Sequence, residues 1–261
     1  IIFLIFILLK KYFPKNEVIN ILVGNAQDKG NRKEQEDAFS TVEKGKSILS
    51  VVADGMGGLS YGKESSQLAV DIFSNQFLRT DNSFSVRNFM TNTIYKINEK
   101  IIELGNGEKS GTTLLAALIK DNLLFWISVG DSQLFLYRNK QIIRVNPRHI
   151  YKNKLKEDYK AGKIPKSEIN NNPKRERLTS YLGYKNFSQY DYNKLPVNLK
   201  KGDKLLLCTD GVYNVLEKNE IESILVKEIH PMETSELIIN KIKKKNLPKQ
   251  DNATLIVLEI K

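Results

Sequence analysis

The chain has 261 residues, 41% of them apolar, enough for one large domain or two small ones with a real core. Lysine and arginine total 41 against 30 acidic residues, a net charge of +11, but the cations are scattered among asparagines and isoleucines without aromatic interleaving, which argues against a nucleic-acid partner. The single cysteine, Cys208, excludes an internal disulfide and fits a reducing compartment; Asn214 stands six positions later, where cysteine-based phosphate chemistry needs an arginine.

The chain opens on an apolar run, Ile1–Leu9, far short of the ~20 residues of a bilayer span. Of two readings, core burial or the tail of a truncated membrane anchor over residues 1–15, the anchor is preferred. Lys10, Lys11 and Lys15 follow the run directly, and Tyr12 suits an interface. The positive-inside rule then puts the remaining domain, residues 16–261, on the cytoplasmic face. Pro14 ends any helix. Ser47–Ala53 is rich in branched apolar residues and reads as a buried strand. Gly62–Leu78 reads as a helix, with Ala69, Phe73 and Phe77 on one face. Met90, Ile94, Ile97, Ile101 and Leu104 mark a second helix.

A β-meander follows: Thr112–Ile119, Leu123–Val129, Gln133–Arg138 and Gln141–Val145. Links such as Asp121-Asn122 and Asn139-Lys140 are short enough to force antiparallel neighbours. Residues 146–177 hold ten Lys or Arg and four Asp or Glu, and read as a mobile, basic, partly helical excursion. Order resumes with a strand at Lys204–Cys208, a helix at Thr234–Lys245 whose basic end suits the helix dipole, and a strand at Ala253–Ile260. Strands in blocks with helices paired between them predict an α+β fold of packed antiparallel sheets.

Aspartates recur at the strand ends. LSVVAD ends at Asp54, followed by Gly55; FWISVGD ends at Asp131; KLLLCTD ends at Asp210; Asp251 directly precedes the last strand, and Asp37 precedes another strand start. Singly, each Asp-Gly is more often a turn than a ligand. Converging at a sheet rim, several carboxylates repel one another unless a cation lies between them. An oxygen-only donor set suits Mg2+ or Mn2+, and two histidines in the whole chain argue against zinc. GGLSYGKE, Gly57–Glu64, approaches a phosphate-binding loop pattern, but Glu64 stands where that loop needs a hydroxyl, and an antiparallel meander contradicts its parallel sheet.

The segments RKEQEDAF, VVADGMGGLSYGKESS, SGTTLLAALI, VGDSQLFLYR, NPKRERLTSYLG, LLLCTDGVYNVL and DNATLIVLEI, in this order, resemble the metal-dependent serine/threonine protein phosphatases (the PPM or type 2C family) in its bacterial branch, over about residues 22–260. The resemblance implies a β-sandwich of two antiparallel sheets flanked by helix pairs, four αββα layers, with residues 146–177 as a basic flap. It implies phosphoserine and phosphothreonine hydrolysis by a hydroxide bridging two divalent metals, Mn2+ or Mg2+. Asp37, Asp54, Asp210, Asp251 and the Gly55 carbonyl would be ligands, Asp131 would hold a weaker third metal, Glu36 would orient water, and Arg32 would clamp phosphate. The implied partner is a phosphoprotein made by a serine/threonine kinase; a monomer is expected. A weakly active phosphoprotein-binding relative and a basic nucleic-acid or anionic-surface module are the alternatives. Three departures stand out: Gln35 for the usual Asn, Met56 where eukaryotic members carry His, and Arg148-His149-Ile150 where members often have Asp-His-Ser.

Overall fold

The computed structural model describes residues 20–56, 60–81 and 83–261. The segment Ile1–Leu9, with the anchor expected of residues 1–15, lies outside the described residues, as do Gly57 and Gly58. In chain order the strands are β1 (Ile21–Asp28), β2 (Asp37–Lys44), β3 (Ser47–Asp54), β4 (Leu114–Lys120), β5 (Leu123–Val129), β6 (Gln133–Arg138), β7 (Gln141–Arg144), β8 (Asp191–Tyr192), β9 (Val197–Asn198), β10 (Lys204–Cys208) and β11 (Ala253–Ile260). The helices are α1 (Gly62–Leu78), α2 (Val86–Gly105), α3 (Tyr151–Lys160), α4 (Lys166–Asn171), α5 (Asp210–Tyr213), α6 (Lys218–Leu225) and α7 (Pro231–Lys245). One antiparallel sheet has the order β1-β11-β10-β6-β7; the other runs β2-β3-β4-β5-β8, with β9 also on β5.

Both faces of each sheet are covered, which is why the central strands read as continuous apolar runs. In β3, Leu49, Val51 and Ala53 face α1 and α2, while Ile48 and Val52 face the other sheet. Leu115, Ala117, Leu205, Leu207, Ile256 and Leu258 fill the layer between the sheets. Leu206, Leu255 and Val257 turn the other way, onto Ile221, Ile238 and Ile242 of α6 and α7. The result is the four-layer αββα sandwich that the motifs implied.

Strands β1, β8 and β9 and helices α5 and α6 were not among the expected elements, and the expected ones differ mainly at their ends. The second helix starts at Val86, because Ser85 caps it by accepting from the Asn88 amide. The last helix starts at Pro231 rather than Thr234: His230 Nδ1 accepts from the Met232 amide, and proline suits the first turn. The β4 ladder starts at Leu114, because Thr112 bridges Gly55 and Leu182 instead. The basic excursion contains α3 and α4, and its two legs meet in a neck where Tyr151 and Lys152 amides donate to the Arg177 and Arg175 carbonyls. Among the described residues no helix is long and apolar enough to cross a membrane.

At Gly24 strand β1 meets the first turn of α7 at backbone distance; a Cβ there would lie 2.1 Å from the Pro231 carbonyl carbon. Gly24→Ala should therefore shift α7 and cost about 1–3 kcal/mol, read as a lower urea midpoint. An unchanged midpoint would refute this close packing.

Candidate metal centre

Antiparallel register places Asp37, the first residue of β2, directly opposite Asp54, the last of β3. Residues so paired have Cβ atoms about 4.5–5.5 Å apart, and like charges there are destabilising. From the other sheet, Asp210 opens α5 just past β10, and Asp251 stands just before β11; β10 and β11 are paired neighbours, so both carboxylates emerge at one rim. Asp131 occupies the turn between β5 and β6. The cleft at this end is lined by Arg32, Glu36, Asp54, Asp131, Asp210 and Asp251, with Gly55, Met56, Glu176 and Leu178 among its other walls. Asp37 is not on that wall. It is buried, 6% exposed, and borders a neighbouring hollow beside Gln27 and Gln35. An apolar pocket around Val86, Met90, Trp126 and Tyr192 has no carboxylate on its walls and no part in this cluster.

Burial, and then the negative charge of the others, pushes these carboxyls up. Asp54 is held well above the usual carboxylate range by its surroundings and by Asp37, Asp210, Asp131 and Asp251. Asp37 is raised to about 7 by burial, opposed by hydroxyls of Thr254 and Thr209. Asp210 is raised to about 7 by burial, then by Asp131 and Asp251. Glu36 is raised by burial, with Arg32 opposing.

The donor chemistry fits a hard divalent cation. Asp37 Oδ1 is buried with no hydrogen-bond partner, while Oδ2 accepts from Thr209 Oγ1 at 2.9 Å. A buried acceptor left unpaired is costly, and a cation satisfies it. The carboxylates ring the cleft. Among the described residues no three acidic, histidine or cysteine side chains form a closed coordination cage. A divalent cation held among them would offset their mutual repulsion.

The structure pairs two residues that the sequence assigned to separate tasks. Arg32 Nη2 lies 2.6 Å from Asp251 Oδ2, with the side chains 48% and 39% exposed. Gly55 also has a packing reason: a Cβ would fall 2.4 Å from the Gly62 carbonyl oxygen and 2.6 Å from that of Glu36.

Asn252, Thr113 and Tyr213 escaped the sequence reading, and Gln35, Arg148 and His149 entered it only as departures from the family pattern. Asn252 Oδ1 accepts from the Glu36 amide at 2.8 Å, and its amide nitrogen donates to the carbonyls of Lys29 and Glu34. It thereby fastens the loop that carries Arg32 and Glu36; its position next to Asp251 was the available signal. Gln35, in place of the usual Asn, accepts from the Asp37 amide at 3.0 Å. Thr113 accepts from the Asp54 amide. His149 Nδ1 accepts from the Gly130 amide, so Nε2 carries the proton and donates to Asp191 at 2.8 Å, which steadies the turn bearing Asp131. Arg148 and Tyr213 close on Asp131 itself. Burial works against the charge of Arg148, and Tyr213, Asp131 and Glu176 more than offset it.

The model of the protein phosphatase 2C family matches residues 25–250. The chain belongs to that family. It is a protein phosphatase, as its ordered motifs implied. The serine/threonine phosphatase Stp of Listeria innocua is 29% identical over 241 residues, covering 89% of this chain and 93% of that protein. PhpP of Streptococcus pneumoniae is 29% identical over 226 residues, 85% and 89% of the two chains. Among solved structures, the S. agalactiae serine/threonine phosphatase superposes with a TM-score of 0.82 at 26% identity, covering 93% of this chain and all (100%) of that one. The catalytic domain of the phosphatase PstP, solved with two manganese ions, shares the fold at 22% identity and a TM-score of 0.72, covering 92% and 99%.

The raised Asp54 carboxyl carries a stability consequence for this phosphatase when metal is stripped. Below the unfolded value, about 4, both folded and unfolded states are protonated and Asp54 costs nothing. As pH rises the unfolded chain ionises first, so the penalty grows and becomes full above the raised folded value. In EDTA at pH 8, Asp54→Asn should melt at least ~2 °C above the unaltered chain, the shift of about 1 kcal/mol, and the gap should shrink by pH 5. Equal melting at both pH values would show that neither burial nor the neighbouring charges penalise the ionised carboxylate.

Proposed function

We propose that this phosphatase hydrolyses phosphoserine and phosphothreonine in proteins phosphorylated by a serine/threonine kinase, at the carboxylate cleft. Two divalent ions, Mn2+ or Mg2+, would be held by Asp37, Asp54, Asp210, Asp251 and the Gly55 carbonyl. The observation that carries this reading is Asp37, buried with its Oδ1 unpartnered, set opposite Asp54 of the cleft wall. The manganese ions in PstP support the same assignment by likeness of fold. When bound, divalent ions supply Lewis-acid charge stabilisation and make water a usable nucleophile near neutral pH.

The chain's own residues do the rest. Glu36, fastened through its amide to Asn252, presents a carboxyl with raised proton affinity to the cleft, suited to orienting water and holding a proton at a carboxylate oxygen. Arg32 is half-exposed in its pair with Asp251, and such a pair is worth only about 0–1 kcal/mol. With Asp251 engaged as a metal ligand, the Arg32 guanidinium would be free for phosphoryl oxygens, which its planar fork suits. Met56 on the cleft wall has no proton to give a leaving group. Cys208 is fully buried, and burial pushes its thiol up, which removes it as a nucleophile. A cytoplasmic setting belongs to this reading, since the phosphoprotein products of such kinases are met there and the single thiol suits a reducing medium.

Phosphopeptide hydrolysis should require Mn2+ or Mg2+ and stop in EDTA. Asp37→Asn, Asp210→Asn and Asp251→Asn should each lose at least ~100-fold in kcat/KM, whereas Cys208→Ser keeps most activity. Active aspartate variants beside a dead Cys208→Ser would sink the mechanism, and an inert unaltered chain that still binds phosphopeptide would favour a binding role.

For Arg32→Ala the expectation is a raised KM with metal affinity little changed, and incomplete rescue by lysine. Unaltered KM and kcat would remove Arg32 from the site.

A further inference from the structure

Asp131 is the residue expected to hold a weaker third ion, yet a cation belonging to the chain already meets its carboxylate. Arg148 Nη2 lies 3.3 Å from Asp131 Oδ2 and 3.1 Å from Glu176 Oε2. The guanidinium carbon sits 4.9 Å from the Tyr213 ring centroid, and the Tyr213 hydroxyl is 3.1 Å from the same Asp131 oxygen. The pair is enclosed: the Arg148 and Asp131 side chains are 16% and 10% exposed. This contrasts with Arg32 on Asp251, where the side chains are 48% and 39% exposed. An arginine is charged at every working pH, and an enclosed one does not leave a carboxylate readily. A divalent ion on the same carboxylate edge would face that positive charge with little water between them.

The second contact explains where Arg148 stands in the fold. Residue 148 lies at the exit of the basic excursion and Glu176 at its return, side by side across the neck closed by the Tyr151–Arg177 and Lys152–Arg175 backbone bonds. Lys152 and Arg175 reach Glu176 at 3.7 and 3.5 Å but do not touch Asp131. Arg148 alone among these spans from the neck to the cleft.

We propose that Arg148 takes the place of a third divalent ion at Asp131, and that through Glu176 it ties the return leg of the basic excursion to the cleft. Asp131 is then the anchor of an internal ion pair and not a metal ligand; Arg148 is a positioning residue. The proposal rests on the two-ion reading above.

The test is a Mn2+ titration of the full chain by calorimetry, with bound ions counted by electron paramagnetic resonance, alongside hydrogen exchange over residues 146–177. The unaltered chain should bind two ions. Arg148→Ala should bind a third, more weakly, and exchange faster at the neck without metal; Mn2+ at saturation should restore protection. Arg148→Lys should stay at two, and adding Asp131→Asn to Arg148→Ala should return the count to two. Three ions in the unaltered chain, or two in a folded Arg148→Ala, would overturn the proposal. If Arg148→Ala does not fold, Asp131→Asn alone decides: a count still at two supports it, and a lost ion overturns it. No bound Mn2+ at all would bring down the two-ion reading and this proposal with it, a result distinct from the others.

Discussion

Two carboxylates held face to face across β2 and β3 set the terms for the rest of this molecule. Asp37 and Asp54 are opposite in register, the first buried and the second on the cleft wall, and the charge of Asp37 raises the affinity of Asp54 for protons. Such a contact opposes folding. It persists because the register is dictated elsewhere, by apolar residues along both strands whose side chains would change faces if the pairing slipped by one residue. The layer between the sheets and the two layers beneath the helices supply the burial that holds the strands in place.

The groups around the carboxylates keep their geometry without discharging them. Thr209 and Gln35 act on Asp37, Thr113 on the Asp54 backbone, and Asn252 on the loop bearing Glu36. All are neutral, so the negative field remains available to a divalent cation. The cationic side chains at the rim are of two kinds. Arg32 is exposed and exchangeable; Arg148 is enclosed between Asp131, Glu176 and Tyr213. Burial decides the difference, because water screens the first pair and compensates its separation, and does neither well for the second.

The site lies at the end of the sandwich because strand ends from both sheets meet there, and the loops leaving them are free to carry function. Asn252 links the chain near its C-terminus to residues 29–36, and Arg148 links the β5–β6 turn to the basic excursion. The cleft is thus assembled from segments far apart in the chain, on a scaffold of packed apolar layers.

Much of this was legible in the amino-acid order. Strands β5, β6, β10 and β11 and helix α1 have the bounds their patterns predict, since each carries its apolar signal within a few residues. The five strand-end aspartates and their oxygen-only chemistry were visible in the same way, and the ordered motifs named the family. Strand β1 was not: an edge strand interrupted by Gly24, half-buried along most of its length, has no periodic signal, and only its pairing with β11 makes it a strand. Nor could local pattern show that Arg32 stands on Asp251, 219 positions away, that Asn252 fastens the Glu36 loop, or that Arg148 answers the charge of Asp131. Periodicity reports which face of an element is buried. Which charges meet is settled by register, by how the sheets stack and by what water is excluded, and those are properties of the folded chain alone.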